Sequence, residues 1–393
     1  MLLFIFLVIT EILTVMTLRE TIRSRSRGLF FISIIIHIVF SIWLWTLLYA
    51  LVTYRSFFDN PVHVRMLLGM TGTIGMVVLP RVFLISAHYT GKLIRVRRGG
   101  YIRWLTNTGL LVSFLIVAVL ATSTLYGRFN LRTERADIRI KGLKKDLDGL
   151  RIVQISDLHL ASFYSHRKAL MRVMDRVNFL KPDLLLNTGD FVTYGWREFD
   201  SEDTILVRAK SRYGNFAIFG NHDFGTYDPY FTEADRANNI LIIKNKIQSS
   251  GYRVLMDTNT VVKIGEARIG LIGVNTRGRY PDFIYDDVNK ALAGLDSVDL
   301  KILLSHDPNQ WESDVVGKTD IDITLAGHTH GMQIGIYSKW FRWSPAVFFY
   351  PHWNGLYTEG KQVQYVNRGM GVLGFPFRIW MPPEITLITL RKF

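Results

Sequence analysis

The chain contains no cysteine, which excludes disulfide bonds, thiol nucleophiles and thiolate metal sites. It also lacks internal repeats, low-complexity tracts, proline-rich linkers and recognised nucleic-acid-binding motifs. Basic residues outnumber acidic ones, and the formal net charge is +14 at pH 7. Much of this excess lies in short loops between apolar segments, where basic residues set membrane topology. The charge therefore does not indicate a nucleic-acid partner.

Long apolar runs with few charges occupy the first third of the chain. They cover residues 1–18, 29–54, 66–90 and 104–126. Each is about long enough to cross the ~30 Å hydrocarbon core of a bilayer. We therefore predict a four-helix transmembrane anchor over residues 1–127, a juxtamembrane linker over 128–147 and one soluble domain over 148–393.

The loops between the apolar runs predict how the chain is oriented in the membrane. The first loop carries four arginines and the third carries five basic residues, whereas the second carries only Arg55 and Arg65. Loops rich in lysine and arginine stay in the cytoplasm. Arginines just after the fourth run oppose this orientation, but large domains translocate despite such charges. We expect a multi-pass protein of the inner or cytoplasmic membrane, with its soluble domain on the extracytoplasmic side.

Three ionisable residues, Glu11, His37 and Arg81, fall inside the apolar runs. Ionisable groups in lipid are costly and are candidates for function. The alternative is that they neutralise one another, for example Glu11 with Arg81.

The rest of the chain alternates short β-rich runs with helical patterns, which predicts α/β layering. Helical patterns cover residues 166–180, about 201–211 and about 232–249. The strand-like runs are 150–156, 183–190, 215–223, 267–275, 300–308, 322–331, 362–369 and 384–390.

Polar side chains follow five of these runs. They are Asp157 and His159, Asp190, Asn221-His222-Asp223, His306, and His328 and His330. Ligands in open α/β sheets collect beyond the carboxyl ends of strands. A lone histidine at such a place is more often structural than a ligand, but five coincident strand ends make that interpretation improbable for the whole set.

The chemistry of this set indicates a site for divalent ions. Imidazole mixed with carboxylate, without sulfur, suits Mn, Fe, Zn or Co. Seven candidate ligands are too many for one ion but suit two ions, roughly 3.5–4 Å apart, that share a bridging carboxylate. Gly189, Gly220 and Gly327 allow the backbone to turn tightly beside the site.

At these residues the chain resembles the calcineurin-like metallophosphoesterase superfamily. The pattern Asp-x-His, Gly-Asp, Gly-Asn-His-Asp, a lone His and Gly-His-x-His is present in order, over about residues 148–392. The resemblance implies a metallophosphoesterase fold, a two-sheet sandwich flanked by helices. The C-terminal sequence and the apolar runs resemble a membrane-anchored bacterial branch related to UDP-2,3-diacylglucosamine pyrophosphatases. Met332 and Asn275 depart from that branch and leave the substrate open.

The resemblance also implies roles for individual residues. One ion would be held by Asp157, His159 and His330, the other by Asn221, His306 and His328, and Asp190 would bridge them. The ions would be Mn, Fe or Zn, with Mn favoured. The catalytic residues would be His222, which would lie over the phosphate, and Asp223, which would orient His222 or its neighbours. The nucleophile would be a hydroxide held between the ions.

An aromatic stretch, "YSKWFRWSPAVFFYPHWNGLY", follows the last two candidate ligands. Aromatic and basic residues favour the lipid headgroup layer, so Trp340 and Trp343 are candidate substrate contacts. The alternative is that these rings pack as core. Arg277 and Arg368 are candidate phosphate contacts, for which a surface role is an equal alternative.

These observations together predict a dimetal phosphohydrolase that cleaves a phosphoester of a membrane lipid or lipid-linked substrate. Its partners would be the lipid bilayer and that substrate, without nucleic acid. Two alternatives are a hydrolase of soluble envelope phosphoesters, such as nucleotides or sugar phosphates, and a non-catalytic membrane sensor.

Overall fold

The computed structural model describes residues 2–23, 25–53, 58, 60–98, 103–276, 287–338 and 340–393. It divides into two compact units. The first contains Met1–Phe57, Met66–Tyr126 and Gly374–Phe377, and the second contains Phe58–Arg65, Gly127–Leu373 and Arg378–Phe393.

The first unit is helical, because its sequence consists of long apolar runs that must satisfy their backbone hydrogen bonds internally. Its helices are α1 (Leu2–Thr21), α2 (Arg27–Thr53), α3 (Pro61–Arg98) and α4 (Arg103–Leu125). Within the described residues, four helices are long and apolar enough to cross a membrane. Each contains most of one predicted run, and α3 extends beyond its run of 66–90 at both ends.

The ionisable residues inside these helices neutralise one another. The Glu11 carboxylate lies 2.5 Å from the Arg81 guanidinium and 3.0 Å from His37 Nε2. Ser41 Oγ donates a hydrogen bond to the same carboxylate and accepts one from Arg81. The predicted pairing of Glu11 with Arg81 is confirmed, which explains how these charges are tolerated among apolar helices.

The second unit contains two six-stranded sheets. The strands of the first sheet are β1 (Arg132–Ile140), β2 (Arg151–Ile155), β3 (Leu184–Asn187), β4 (Asn215–Ala217), β5 (Tyr252–Val254) and β14 (Glu384–Lys392). Their order is β1-β14-β2-β3-β4-β5. Strands β2 to β5 are parallel, and β14 runs antiparallel to β2.

The strands of the second sheet come later in the chain. They are β6 (Thr258–Ile264), β7 (Ala267–Gly273), β8 (Leu300–Leu304), β9 (Ile323–Ala326), β12 (Gly355–Glu359) and β13 (Gln362–Val366). Their order is β12-β13-β9-β8-β7-β6, with β7, β8, β9 and β13 parallel. A small hairpin, β10 (Ile336–Tyr337) and β11 (Arg342–Trp343), forms a separate two-stranded sheet.

Apolar side chains fill three layers of core. One cluster joins strands of both sheets, for example Ile152 with Ile302, so the sheets pack face to face. A second cluster joins the first sheet to α5 (Arg167–Phe179) and α7 (Glu233–Ser249), and a third contains residues of the second sheet and α8 (Val288–Leu292). The predicted two-sheet sandwich flanked by helices is therefore confirmed.

Two elements differ from the sequence expectations. The predicted linker 128–147 contains β1, which pairs in parallel with β14 over nine residues. Its sequence "RTERADIRI" is rich in charge because β1 is an edge strand with mostly accessible side chains. The helix expected over 201–211 shortens to α6 (Asp203–Leu206).

Candidate metal centre

The predicted ligands meet where strands of both sheets end. Asp157 and His159 follow β2, Asp190 follows β3 and Asn221 follows β4. From the second sheet, His306 follows β8, and His328 and His330 follow β9. Because the two sheets pack face to face with parallel central strands, their carboxyl ends deliver these side chains to one place.

The side chains form two groups that could each hold a metal ion. The first comprises Asp157, His159 and His330, whose candidate ligand atoms all lie within 4.8 Å of one another. His330 Nε2 is 3.3 Å from Asp157 Oδ1 and 3.1 Å from His159 Nε2. All three residues are buried.

The second group comprises Asp190, His306 and His328. His306 Nε2 lies 3.1 Å from Asp190 Oδ2 and 3.2 Å from His328 Nδ1. The same oxygen, Asp190 Oδ2, is 3.7 Å from His159 Nε2 of the first group. One carboxylate therefore borders both groups, as a bridging ligand would.

Asn221 adds a candidate ligand atom, its side-chain oxygen Oδ1. Its Nδ2 donates to the hydroxyl of Tyr227 at 2.9 Å, which fixes the orientation of the amide. Its Oδ1 is buried and has no hydrogen-bond partner among the described residues. An orphaned buried carbonyl oxygen is costly unless a cation or water satisfies it. The residues present therefore fit divalent ions.

Five of the candidate ligands also have a left-handed backbone conformation. Asp157, His159, Asp190, His328 and His330 all have positive φ between 42° and 70°. This left-handed conformation costs a non-glycine residue roughly 1–3 kcal/mol and clusters at functional sites. Five of the twelve non-glycine residues with positive φ in the described part of the chain are thus candidate ligands. Five of the seven candidate ligands carry this strain, which indicates that the fold holds them in place for a purpose other than stability.

Two glycines allow the ligand carboxylates to approach the backbone. A Cβ on Gly220 would lie 2.1 Å from Asp190 Oδ1, and one on Gly327 would lie 2.4 Å from Asp157 Oδ2. Neither carboxylate could keep its position beside a larger residue. Of the three glycines for which tight turns were predicted, Gly189 has a positive φ of 98°, whereas Gly220 and Gly327 allow these close approaches.

The site stabilises two buried negative charges. Burial alone would raise the pKa of Asp157 and Asp190, but neighbouring imidazoles, led by His330 and His306 respectively, hold the pKa of each below its usual range. Two ionised carboxylates in a buried site require positive charge nearby. Divalent ions would supply it.

His222 lies beside the two groups. Its Nδ1 is 2.7 Å from the carbonyl oxygen of Thr193, which can only accept, so Nδ1 carries the proton. Its backbone N–H donates to Asp190 Oδ1 at 2.9 Å, and its ring stacks on Tyr227 with centroids 4.1 Å apart. These contacts hold the ring, and neither group of candidate ligands includes His222.

Asp223 was expected to orient His222 or its neighbours, and among the described residues its carboxylate bonds to backbone groups near His222 and not to the His222 ring. Its carboxylate instead accepts hydrogen bonds from the backbone N–H groups of residues 190, 191, 192 and 220, at 2.8–3.1 Å. It joins the loop after β3 to the loop after β4. Asp223 is therefore a positioning residue for Asp190.

Several neighbours of the site were missed by sequence reasoning. Thr193 Oγ1 lies 3.1 Å from His159 Nδ1, and Tyr350 contacts His328 Nε2 through its hydroxyl at 2.8 Å. Glu198 accepts the backbone N–H groups of Thr193 and residue 194. Burial raises the pKa of Glu198 to about 7. None of these residues belongs to the ligand pattern; Thr193 and Glu198 lie close to the motif at Asp190, and Tyr350 lies in the aromatic stretch.

The structure places the candidate substrate-binding residues in different environments. Arg368 is fully buried and paired with Glu134 and Glu384 at 2.9 and 3.1 Å, so its predicted phosphate contact is replaced by a structural role. Arg277 lies outside the described residues. Trp340 and Trp343 are 88% and 41% exposed, so they are not core.

Comparison with known proteins identifies the domain. Residues 150–332 match the family described as calcineurin-like phosphoesterase. This segment is a calcineurin-like metallophosphoesterase domain. The family predicted from the strand-end motifs is confirmed for this segment, and so is its class, the phosphoester hydrolases.

Three proteins named for metallophosphoesterase or pyrophosphatase activity align with about two thirds to three quarters of this chain. A zebrafish (Danio rerio) "transmembrane protein with metallophosphoesterase domain" is 31% identical over 72% of this chain and 62% of its own length. The uncharacterised metallophosphoesterase YkuE of Bacillus subtilis is 28% identical over 67% of this chain and 86% of its own. The UDP-2,3-diacylglucosamine pyrophosphatase LpxG of Chlamydia muridarum is 26% identical over 66% and 88%. The alignment with the zebrafish protein thus spans less than two thirds of that relative. The relatives include a vertebrate protein as well as bacterial ones.

Proposed function

We propose that the protein is a dimetal phosphohydrolase that cleaves a phosphoester of a membrane lipid or lipid-linked substrate. The observation that carries the chemistry is the position of Asp190 Oδ2, 3.1 Å from His306 Nε2 and 3.7 Å from His159 Nε2. A carboxylate oxygen shared by two groups of ligands is what a two-ion centre requires.

The ligands divide between two divalent ions. Asp157, His159 and His330 would hold the first, and Asn221, His306 and His328 the second, with Asp190 shared. When bound, the ions would polarise the phosphoryl oxygens and lower the pKa of an attacking water. Carboxylate and amide oxygens beside imidazole favour Mn, with Fe or Zn as alternatives.

His222 would act on the reacting phosphate. Its Nδ1–H is committed to the Thr193 carbonyl, so Nε2 is the ring atom that can hydrogen-bond the phosphoryl oxygens or protonate the leaving oxygen. The contact of its backbone N–H with Asp190 keeps the ring beside the ligand shared by both groups. Its role would therefore be chemical and not ligation.

An exposed aromatic surface supports the lipid substrate. Trp340, Phe341, Trp343, Phe348 and Phe349 are each 41–88% exposed. The next residue, Tyr350, contacts His328, so the surface is continuous with the metal centre. Large exposed aromatic patches favour the headgroup layer of a membrane. We call this stretch, residues 337–350, the aromatic segment.

The side of the membrane decides between lipid classes. The loop charges favour an extracytoplasmic domain, where a phospholipid, a polyprenyl phosphate or a lipid A-type phosphate would be the substrate. The relative LpxG is named for a UDP-linked glucosamine lipid. A substrate of that kind is made in the cytoplasm and would require the opposite orientation.

Incubation of the purified full chain, with Mn²⁺, against total membrane lipids and a panel of soluble phosphoesters tests the proposal. We expect wild-type protein to release phosphate or headgroup from lipid. Replacing Trp340, Phe341 and Trp343 by Ser should spare a small chromogenic phosphoester while lowering turnover of lipid in bilayers by about tenfold or more, because the variant loses apolar contacts with the membrane.

The matched control is Leu241→Ser with Val261→Ser, two exposed apolar positions of the same unit outside the aromatic segment. It should leave both activities unchanged. Equal losses on both substrates in the aromatic variant would show that its rings serve the fold. Hydrolysis of soluble phosphoesters alone would favour an envelope nucleotide or sugar phosphate, and no hydrolysis at all would favour the sensor.

Orientation is tested separately by a reporter fused after Phe393 that is active only in the cytoplasm. We expect it to be silent, because the first and third loops carry the basic residues that stay inside. The control is the same reporter fused within the third loop, which should be active. An active reporter after Phe393 would reverse the orientation and make a UDP-linked lipid the leading substrate.

A further inference from the structure

A cavity of about 520 Å³ lies in the second unit, apart from the candidate metal ligands. It is bordered by the start of β1, by α5 and by the segments at Met370 and Pro383. Four arginines line it: Arg128, Arg132, Arg172 and Arg176. We call it the arginine cavity. Cavities of several hundred cubic ångströms are typical of small-molecule sites.

The described residues around the arginine cavity do not neutralise its positive charge. None of the described residues that line it is acidic. The acids of β1 and α5 are engaged with arginines that do not line it. They are Glu134 with Arg368, Asp137 with Arg391 and Asp175 with Arg208. Four guanidinium groups around a cavity without a carboxylate form a site for an anion.

The guanidinium groups are also partly fixed. Arg176 donates through Nε to Thr133 Oγ1 at 2.8 Å and lies over the ring of Phe179. Arg128 lies 4.5 Å from the centre of the Phe129 ring, and its Nε is buried without a hydrogen-bond partner among the described residues. A buried guanidinium nitrogen without an acceptor indicates that a ligand supplies one.

The other lining side chains are largely apolar. They include Phe163, Val173 and Met370, which belong to the core cluster of the first sheet. A ligand that suits the cavity therefore has an anionic group for the arginines and an apolar portion for this wall. Phosphate matches the fork of a guanidinium with two parallel hydrogen bonds.

The position of these arginines in the chain indicates the source of the anion. Arg128 comes three residues after α4 ends at Leu125, so it stands at the boundary of the fourth candidate span. Arginine side chains near the end of a span extend toward the lipid headgroups, whose phosphates match the guanidinium fork. We propose that the arginine cavity binds the phosphate headgroup of an anionic phospholipid, with the adjoining acyl portion against the apolar wall.

This lipid site is distinct from the proposed reaction, because none of the proposed metal ligands lines it. It nevertheless adjoins the ligand loop, since the backbone N–H of Met370 donates to the carbonyl oxygens of Ser156 and Asp157. A bound lipid would thus touch a segment that supports the metal centre. The lipid would be a resident ligand and not the substrate.

Native mass spectrometry of the delipidated full chain tests the proposal, with phosphatidylglycerol and phosphatidylcholine added in separate arms. Wild-type protein should retain phosphatidylglycerol in preference to phosphatidylcholine. Arg172→Gln with Arg176→Gln should lower phosphatidylglycerol retention by about tenfold or more, because charge-assisted hydrogen bonds to phosphate are lost. The single variant Arg172→Gln, at an exposed position, should show a smaller loss in the same direction.

The matched control is Arg212→Gln with Arg253→Gln, which removes two exposed arginines that do not line the cavity. It should retain phosphatidylglycerol as wild type does. All variants should keep wild-type metal content and hydrolysis of a small phosphoester, so this proposal and the proposed function fail independently. Unchanged lipid retention in both cavity variants, or displacement of the lipid by inorganic phosphate alone, would overturn the lipid site.

Discussion

Replacing Asp190 with Asn is expected to abolish phosphoester hydrolysis and to lower metal content at both halves of the centre. The carboxylate oxygen that borders both groups of ligands becomes a neutral amide, and a neutral group cannot bridge two cations with comparable strength. The substitution is otherwise mild. Asn tolerates the positive φ of 57° at this position, and its Oδ1 can still accept the backbone N–H of His222.

Metal analysis of purified Asp190→Asn, beside activity on a small phosphoester, measures both effects. Asp307→Asn is the matched control, because Asp307 follows the ligand His306 but belongs to neither group. The control should keep its metals and most of its activity. Two ions retained at full affinity in Asp190→Asn would show that the bridging assignment is wrong.

Replacing His222 with Ala is expected to slow turnover by about 10²–10⁴-fold if the imidazole acts as general acid. Metal content should remain at the wild-type level, because neither group of candidate ligands includes His222. The backbone N–H of residue 222 can still donate to Asp190 after the change. The variant therefore separates chemistry from metal binding, which Asp190→Asn does not.

Single-turnover measurement with two substrates checks this interpretation. His222→Ala should slow hydrolysis of a nitrophenyl phosphoester less than hydrolysis of an alkyl phosphoester. The nitrophenolate leaving group departs without being protonated, whereas the alkoxide needs a proton. Equal losses on both would remove the general-acid role. Loss of metal from the variant would instead indicate that His222 supports the ligands.

The ligand pattern could be predicted from sequence because it depends on local rules. Each ligand directly follows a buried strand, and the carboxyl ends of parallel strands meet at one edge of a sheet. Residues such as Asp157 and His328 can therefore be predicted as ligands without knowledge of the strand order. The face-to-face packing of the two sheets was expected only from the family resemblance.

What could not be predicted depends on contacts between distant segments. An arginine suits a phosphate contact, but Arg368 is buried and pairs with Glu134, more than two hundred residues earlier in the chain. Asp223 is adjacent to His222 in sequence, yet its carboxylate turns to the backbone of the β3 loop. Strand β1 was missed because an edge strand with accessible charges lacks the apolar alternation of a half-buried strand.

The number of divalent ions bound per chain tests the central claim most directly. Purified protein stripped of metal should be titrated with Mn²⁺ while bound ions and hydrolysis of a small phosphoester are followed together. The proposed arrangement predicts saturation at two ions per chain, with activity rising as the second site fills. Saturation at one ion, or full activity in the stripped protein, would contradict it.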